Sequence, residues 1–148
     1  MCDTGKFSKL PIKVKRSVHV PPTPVIQHVR TAKHPECGYD RLVLDVHGKI
    51  PGFTIKFVKK VIADGSGNTI KLPGHRFVLI TVRPANAHKA SGAPTISSKV
   101  HKLGFPMLKA WVLAGDNEGV VSFGIGLKSG TRVRAGTLPG RIYIDFRE

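Results

Sequence analysis

Two stretches of the same design decide the fold of this chain. Residues 38–46 are Gly38-Tyr39-Asp40-Arg41-Leu42-Val43-Leu44-Asp45-Val46, and residues 138–146 are Leu138-Pro139-Gly140-Arg141-Ile142-Tyr143-Ile144-Asp145-Phe146. Each begins with a turn, continues with an arginine, and then alternates apolar residues with others, including an aspartate. A period of two is typical of a half-buried strand. Such strands at both ends predict a closed all-β module that contains the first and the last of them.

Further strand signals recur at short spacing between these two stretches. They cover residues 25–30, 53–57, 69–72, 75–83, 99–103, 108–113, 121–127 and 132–134. A slip in the alternation at Lys59-Lys60 predicts a β-bulge, and residues 84–98 predict a long loop. No long stripe with a helical period appears, and 16 glycines and 11 prolines favour turns. The pattern predicts an all-β fold, a β-sandwich of mostly antiparallel strands.

The composition sets limits on organisation and partners. A chain of 148 residues that is 41% hydrophobic suits one packed domain. Residues 1–22 are basic and end in a proline-rich run, which predicts a flexible, poorly ordered tail before a domain over 23–148. The formal net charge of +15 attracts polyanions such as nucleic acid, wall polymers and acidic membranes. A solvated surface that is merely basic explains the same charge.

The cysteines and the start of the chain leave alternatives open. Cys2 and Cys37 permit at most one internal disulfide, and two free thiols are the alternative. No signal peptide or membrane-spanning stretch is visible, so the chain is expected to be either intracellular or the mature form of an exported protein.

Several short motifs occur in a particular order. They are Arg30-x-x-x-His34, Gly38-Tyr39-Asp40-Arg41, Pro51-Gly52, Gly65-Ser66-Gly67, Glu118-Gly119, Gly124-Ile125-Gly126-Leu127 and Leu138-Pro139-x-Arg141 with Ile144-Asp145. In this order they resemble the AMIN-like domains of secreted and lipid-anchored actinobacterial proteins, over about residues 23–147. The resemblance implies a β-sandwich that targets the cell envelope and contacts peptidoglycan or an envelope protein. It implies no catalysis and no cofactor, and a secreted or envelope location, with the cytoplasm as the alternative.

Two groups of residues are candidates for binding. The motifs supply a predicted ligand-binding set: Arg30, His34, Tyr39, Asp40, Arg41 and Arg141. For Asp40-Arg41 the favoured interpretation is structural, an ion pair and a turn cap that hold strand register. A second set, predicted to form one basic face, consists of Lys56, Lys59, Lys60, Lys71, Arg76 and Arg83. Such a face would bind phosphate-bearing polymers non-specifically, and nucleic acid is the alternative ligand.

The signals for catalysis and metal binding are weak. Asp45 and Asp145 lie among many cations, which suits structural pairing better than general-acid catalysis. His34-x-x-Cys37 is the one close pair of metal-ligand type, so no metal site is predicted. The remaining alternative is a hydrolase whose dispersed site uses His34, Cys37 and Asp40.

Overall fold

A computed structural model describes residues 2–130 and 132–148. Over these residues the chain forms thirteen strands and one 3-10 turn. They are β1 (Ser8–Lys9), β2 (Ile12–Val14), β3 (Val25–His34), the 3-10 turn (Pro35–Cys37), β4 (Tyr39–His47), β5 (Gly52–Val58), β6 (Val61–Ile62), β7 (Thr69–Ile70), β8 (Arg76–Arg83), β9 (His101–Lys102), β10 (Leu108–Asn117), β11 (Val120–Leu127), β12 (Arg132–Leu138) and β13 (Arg141–Arg147). No helix within the described residues has the length and apolar character needed to cross a membrane.

The strands form two antiparallel sheets, which confirms the predicted all-β sandwich. The first sheet has five strands in the order β1-β12-β13-β4-β3, and the second has six in the order β2-β5-β8-β11-β10-β9. The two stretches of like design are β4 and β13, which pair side by side within the first sheet. Their antiparallel register places Arg41 opposite Asp145 and Arg141 opposite Asp45. Each arginine therefore has the other strand's aspartate as its neighbour.

The core lies between the two sheets. Alternate residues of each strand point inward, as the period-two pattern requires. The largest fully buried apolar side chains are Ile26, Leu42, Leu44, Ile55, Ile80, Leu108, Phe123, Ile125, Ile142, Ile144 and Phe146. Burying each of them fully contributes about 1.5–3 kcal/mol, so this interface is the main source of stability.

A small hairpin, β6 with β7, covers part of the outer surface of the second sheet. Glycines of β11 allow the close approach. A Cβ on Gly124 would lie 2.4 Å from a methyl carbon of Val61, and one on Gly126 would lie 2.0 Å from the carbonyl oxygen of Pro73. The predicted bulge at Lys59-Lys60 is wrong. The strand ends at Val58, and these two residues turn the chain out of the second sheet into the hairpin.

The N-terminal segment differs from the flexible tail predicted for residues 1–22. Strand β1 pairs with β12 at one edge of the first sheet, and β2 pairs with β5 at one edge of the second. Leu10, Ile12 and Val14 alternate with Pro11 and Lys13 and pack against the core, which explains why the segment is ordered. Its start is fixed by a disulfide between Cys2 and Cys37, with 5.5 Å between the Cα atoms. Of the two states open for these cysteines, the structure shows the bonded one.

The structure extends one predicted strand and contains the predicted long loop. Strand β3 continues beyond the predicted 25–30 through residues 31–34, because these residues pair with residues 39–42 at the edge of the first sheet. The loop over 84–98 has no strand but is fixed to the sandwich. Ala87 and Ile96 are buried, and the hydroxyl of Thr95 donates to the carbonyl of Ile26 at 2.6 Å.

Candidate ligand-binding face of the five-stranded sheet

The outer surface of the first sheet is rich in arginine. Every second residue of β4, β13 and β12 points away from the core, and these positions carry Arg41, Arg141 and Arg134, while β3 adds Arg30 at the edge. We call this surface the arginine face: Arg30, Arg41, Arg134 and Arg141, with Tyr39, Tyr143, Asp45 and Asp145 between them. Cross-strand neighbours lie about 5 Å apart, so the side chains contact one another directly.

Asp145 is the centre of this face and is fully buried. Its carboxylate accepts hydrogen bonds from two guanidinium groups. Arg41 donates from Nε at 2.7 Å and from Nη2 at 3.0 Å, and Arg134 donates from Nε at 2.9 Å. The bonds to Asp145 raise the pKa of Arg41, so this arginine stays charged at any relevant pH. The cluster is a rigid, charge-paired support for the residues around it.

The N-terminal segment covers one half of the arginine face. The carboxylate of Asp3 accepts a hydrogen bond from Arg41, and the carbonyls of Asp3 and Gly5 accept from Nη1 of Arg134 at 3.0 and 2.9 Å. The ring of Phe7 lies 4.4 Å from the guanidinium carbon of Arg134. These contacts, with the disulfide before them, exclude solvent from Arg134, which is 6% exposed.

The other half of the face is open and forms a depression of about 210 Å³. It is lined by Arg30, Arg41, Arg141 and Tyr143, together with small and apolar residues. The Tyr143 ring centroid lies 4.5 Å from the guanidinium carbon of Arg41, a cation–π contact that fixes the tyrosine. The depression therefore combines three guanidinium groups with one aromatic side chain.

Two of these three arginines form ion pairs with aspartates, and the third is free to bind an anionic ligand. Arg30 donates to both carboxylate oxygens of Asp45, at 2.6 and 2.8 Å, and these hydrogen bonds lower the pKa of Asp45. Arg141 is exposed and forms no ion pair within the described part of the chain. An anionic ligand in the depression would meet Arg141 first, because its guanidinium has no competing carboxylate bound to it.

The structure separates the six residues of the predicted ligand-binding set. Arg30, Arg41 and Arg141 line the open depression together. His34 and Tyr39 do not line it. Their ring centroids are 5.2 Å apart, and Tyr39 is buried beside Phe7 in the covered half of the face.

Asp40 lies on the opposite side of the sheet from the arginine face. It is fully buried, and its Oδ2 accepts from the backbone N–H groups of Met107 and Leu108 at 2.7 and 2.9 Å. Asp40 thus holds the start of β10 against β4 and joins the two sheets. It does not line the depression. Its role is structural, but it differs from the ion pair and turn cap predicted for Asp40-Arg41, since Asp40 accepts backbone hydrogen bonds from the other sheet and Arg41 pairs with Asp145.

Sequence reasoning missed Tyr143 and Arg134 as members of this face. Tyr143 lies two residues after Arg141, so the period of two places both side chains on the same surface. Arg134 lies in β12, opposite Asp145. The alternation of inward and outward side chains along β12 and β13 could therefore have indicated that both residues face away from the core.

The second predicted set does not form one face. Arg76 and Arg83 lie at opposite ends of β8, about 23 Å apart at the usual rise of a strand. Lys59 and Arg76 line one depression with His75 and Phe57, whereas Arg83 lines a different cavity. The other three residues of the set are exposed and line neither that depression nor that cavity: Lys56, Lys60 and Lys71.

The structure does not bring His34, Cys37 and Asp40 together as the site of a hydrolase. Cys37 is bonded to Cys2 and so has no free thiol, and Asp40 points into the core. In residues 2–130 and 132–148, no three histidine, cysteine or acidic side chains converge closely enough to hold a metal ion.

The chain was compared with models of known protein families. The family model of the AMIN-like domain matches residues 24–148, nearly the whole chain. The match confirms the resemblance that the order of the motifs indicated. No curated protein matches the chain.

Proposed function

Because the chain belongs to the AMIN-like domain family, we propose that it is a non-catalytic module that attaches to the cell wall through the arginine face. Domains of this family are generally binding or targeting modules and occur in envelope-associated proteins. The finer proposal concerns the ligand, which is peptidoglycan or an anionic wall polymer, and the location, which is the cell envelope outside the cytoplasm.

The observation that carries the proposal is the open depression with Arg30, Arg41, Arg141 and Tyr143. A guanidinium group binds a carboxylate through two parallel hydrogen bonds, and wall peptides and acidic polymers present carboxylates or phosphates. A tyrosine adds an apolar ring and a polar hydroxyl, which suits the mixed surface of a sugar. The depression thus offers both kinds of contact that a charged glycan needs.

The support beneath the depression favours specific binding over general attraction. Arg41 is held in place by Asp145, Asp3 and Tyr143. A side chain that is already ordered loses little conformational entropy when it binds a ligand. We therefore expect binding that survives physiological salt, where exposed charges are screened beyond about 8 Å.

The test is retention of the full chain on purified cell-wall sacculi at ~0.15 M salt. Wild-type protein is expected in the pellet. The pair Arg141→Ala and Tyr143→Leu should lower retention strongly, since both side chains line the depression. Lys89→Ala removes one exposed cation from the 84–98 loop and serves as the matched control. Recovery of all wild-type protein in the supernatant, or an equal loss for the control, would reject the proposal.

Nucleic acid is the second candidate, and the net charge of +15 is the observation in its favour. Non-specific binding of single strands usually relies on exposed aromatic rings that stack on bases. Trp111 is only 6% exposed and Tyr39 only 4%, and the open depression offers a single aromatic ring, Tyr143, rather than a series of rings. A parallel titration with DNA separates the two candidates. Binding to DNA and to sacculi that disappears together as salt rises would indicate a general anion surface.

A further inference from the structure

A second cavity lies at the edge of the second sheet. Its volume is about 390 Å³, and it is formed where the N-terminal segment after β2 meets the start of β5 and the end of β8. The polar side chains that line it are Lys13, Lys15, Arg16, Arg83, Thr54 and Thr81. Of these, the sequence analysis singled out Arg83 alone.

Four of the lining residues are cations, and none of the lining residues in the described chain is acidic. Within that part of the chain, Lys13, Lys15 and Arg83 form no ion pair, and Arg16 makes a single contact, from Nη2 to the hydroxyl of Thr137 at 3.3 Å. Like charges gathered around one space repel each other. An anion in the cavity would remove that repulsion and would find donors that are not already engaged.

Two threonines add neutral donors beside these charges. The strand register places Lys13 opposite Thr54, and Thr54 opposite Thr81, so the three residues form a row across β2, β5 and β8. Both threonines are half-buried. A hydroxyl can donate to an anion oxygen and has no charge to be neutralised. The row thus supplies hydrogen bonds at the floor of the cavity, while the cations lie around it.

The cavity depends on a close backbone contact. A Cβ at Gly52 would lie 2.7 Å from the carbonyl oxygen of Val14 and 3.1 Å from the backbone nitrogen of Arg16. The absence of a side chain at residue 52 lets the N-terminal segment rest directly on β5. This contact fixes the positions of Lys13, Lys15 and Arg16 relative to the threonines. The fold therefore fixes the backbone positions from which these exposed cationic side chains extend.

We propose that this cavity binds the phosphate group of a phosphate-bearing ligand. A phosphate presents several oxygens in three dimensions, so it can accept from Lys, Arg and Thr donors that approach from different strands. A planar carboxylate is already satisfied by one arginine. The cavity exceeds a lone phosphate in volume, which leaves room for an attached polyol or sugar. This site goes beyond the wall-binding function proposed for the arginine face, since the two share no residue.

The test is an NMR titration of the full chain with glycerol 3-phosphate at constant ionic strength, which follows the backbone amides of Thr54 and Thr81. Acetate and glycerol are the comparison ligands. Shifts of both amides are expected with the phosphate ester and not with glycerol. Equal affinity for acetate would reject phosphate as the ligand chemistry, and unchanged amides at Thr54 and Thr81 would reject the site.

Matched variants distinguish the site from general charge. Lys13→Gln with Arg83→Gln removes two cations of the cavity and should weaken binding about tenfold or more, the effect of losing a charge-assisted hydrogen bond. Lys56→Gln with Arg76→Gln removes two exposed cations of β5 and β8 that lie outside the cavity, and it should change little. Equal weakening in both pairs would overturn the proposal. Retention on sacculi freed of phosphate-bearing polymers should not change in either pair, so the two proposals fail independently.

Discussion

Replacing Asp145 by asparagine tests whether the buried carboxylate organises the arginine face. The substitution keeps the shape of the side chain and removes its charge. Arg41 and Arg134 would then surround a neutral amide, and the amide NH2 group cannot accept a hydrogen bond from either guanidinium. We expect a large loss of stability with the backbone unchanged.

The magnitude follows from burial. Asp145 is 0% exposed at its side chain, Arg134 is 6% exposed and Arg41 is 19% exposed. Removing one partner of a buried charge pair costs about 3–5 kcal/mol, because the remaining charge stays buried without compensation. Domains of this size are stable by about 5–15 kcal/mol, so this loss is a large fraction of the total. The partial solvation of Arg41 places the expected value at the lower end.

Urea unfolding followed by tryptophan fluorescence measures this effect, since Trp111 is buried in the core. With a slope of about 1–3 kcal/mol per molar urea, the midpoint should fall by about 1–3 M. Asp45→Asn is the matched control. It makes the same change at the corresponding place in β4, where the partner Arg30 is 52% exposed, and it should cost at most about 1 kcal/mol. A loss for Asp145→Asn no greater than that of the control would refute the reasoning.

Two further predictions concern the N-terminal segment and the rim of the depression. Replacing Cys2 and Cys37 by serine opens a loop with a sequence separation of 35 and should cost about 4 kcal/mol by the chain-entropy estimate; an unchanged urea midpoint would contradict this. The hydrogen bonds from Arg30 should hold the pKa of Asp45 below the usual value of an aspartate, and Arg30→Gln should raise that pKa in a carboxyl NMR titration. Because the pKa of Asp45 is lowered in the folded state, the stabilisation from the Arg30–Asp45 pair is present at neutral pH and disappears as the pH falls through that folded-state pKa. Equal pKa values of Asp45 in the wild type and in Arg30→Gln would contradict the role given to Arg30.

The sequence contained enough information for the sandwich and its central strands. The alternation in β4 and β13 assigned Leu42 and Ile144 to the core and Arg41 and Asp145 to the other surface. Side-chain parity is a local property of a strand, so it can be deduced without knowledge of its neighbours. Which strand pairs with which is a long-range property. The pairing of Arg41 with Asp145 followed only once the register of the two strands was known.

The N-terminal segment shows where sequence reasoning failed. Lys9-Leu10-Pro11-Ile12-Lys13-Val14-Lys15 alternates as a strand does, but its lysines and its terminal position indicated a solvated tail. Lysine and proline are also common in edge strands, where they discourage pairing with other chains. Both strands of this segment lie at sheet edges. The same composition thus fits a tail and an edge strand, and contacts with the core decide between them.

The N-terminal segment also links the two proposed sites. It supplies Asp3 and Phe7 to the covered half of the arginine face, and Lys13, Lys15 and Arg16 to the cavity on the second sheet. The family match begins at residue 24, so all of these residues lie outside it. The open depression, by contrast, is built entirely from matched residues. The site proposed for wall binding therefore lies wholly within the matched range, whereas the proposed phosphate site takes three of its four cations from the segment before that range.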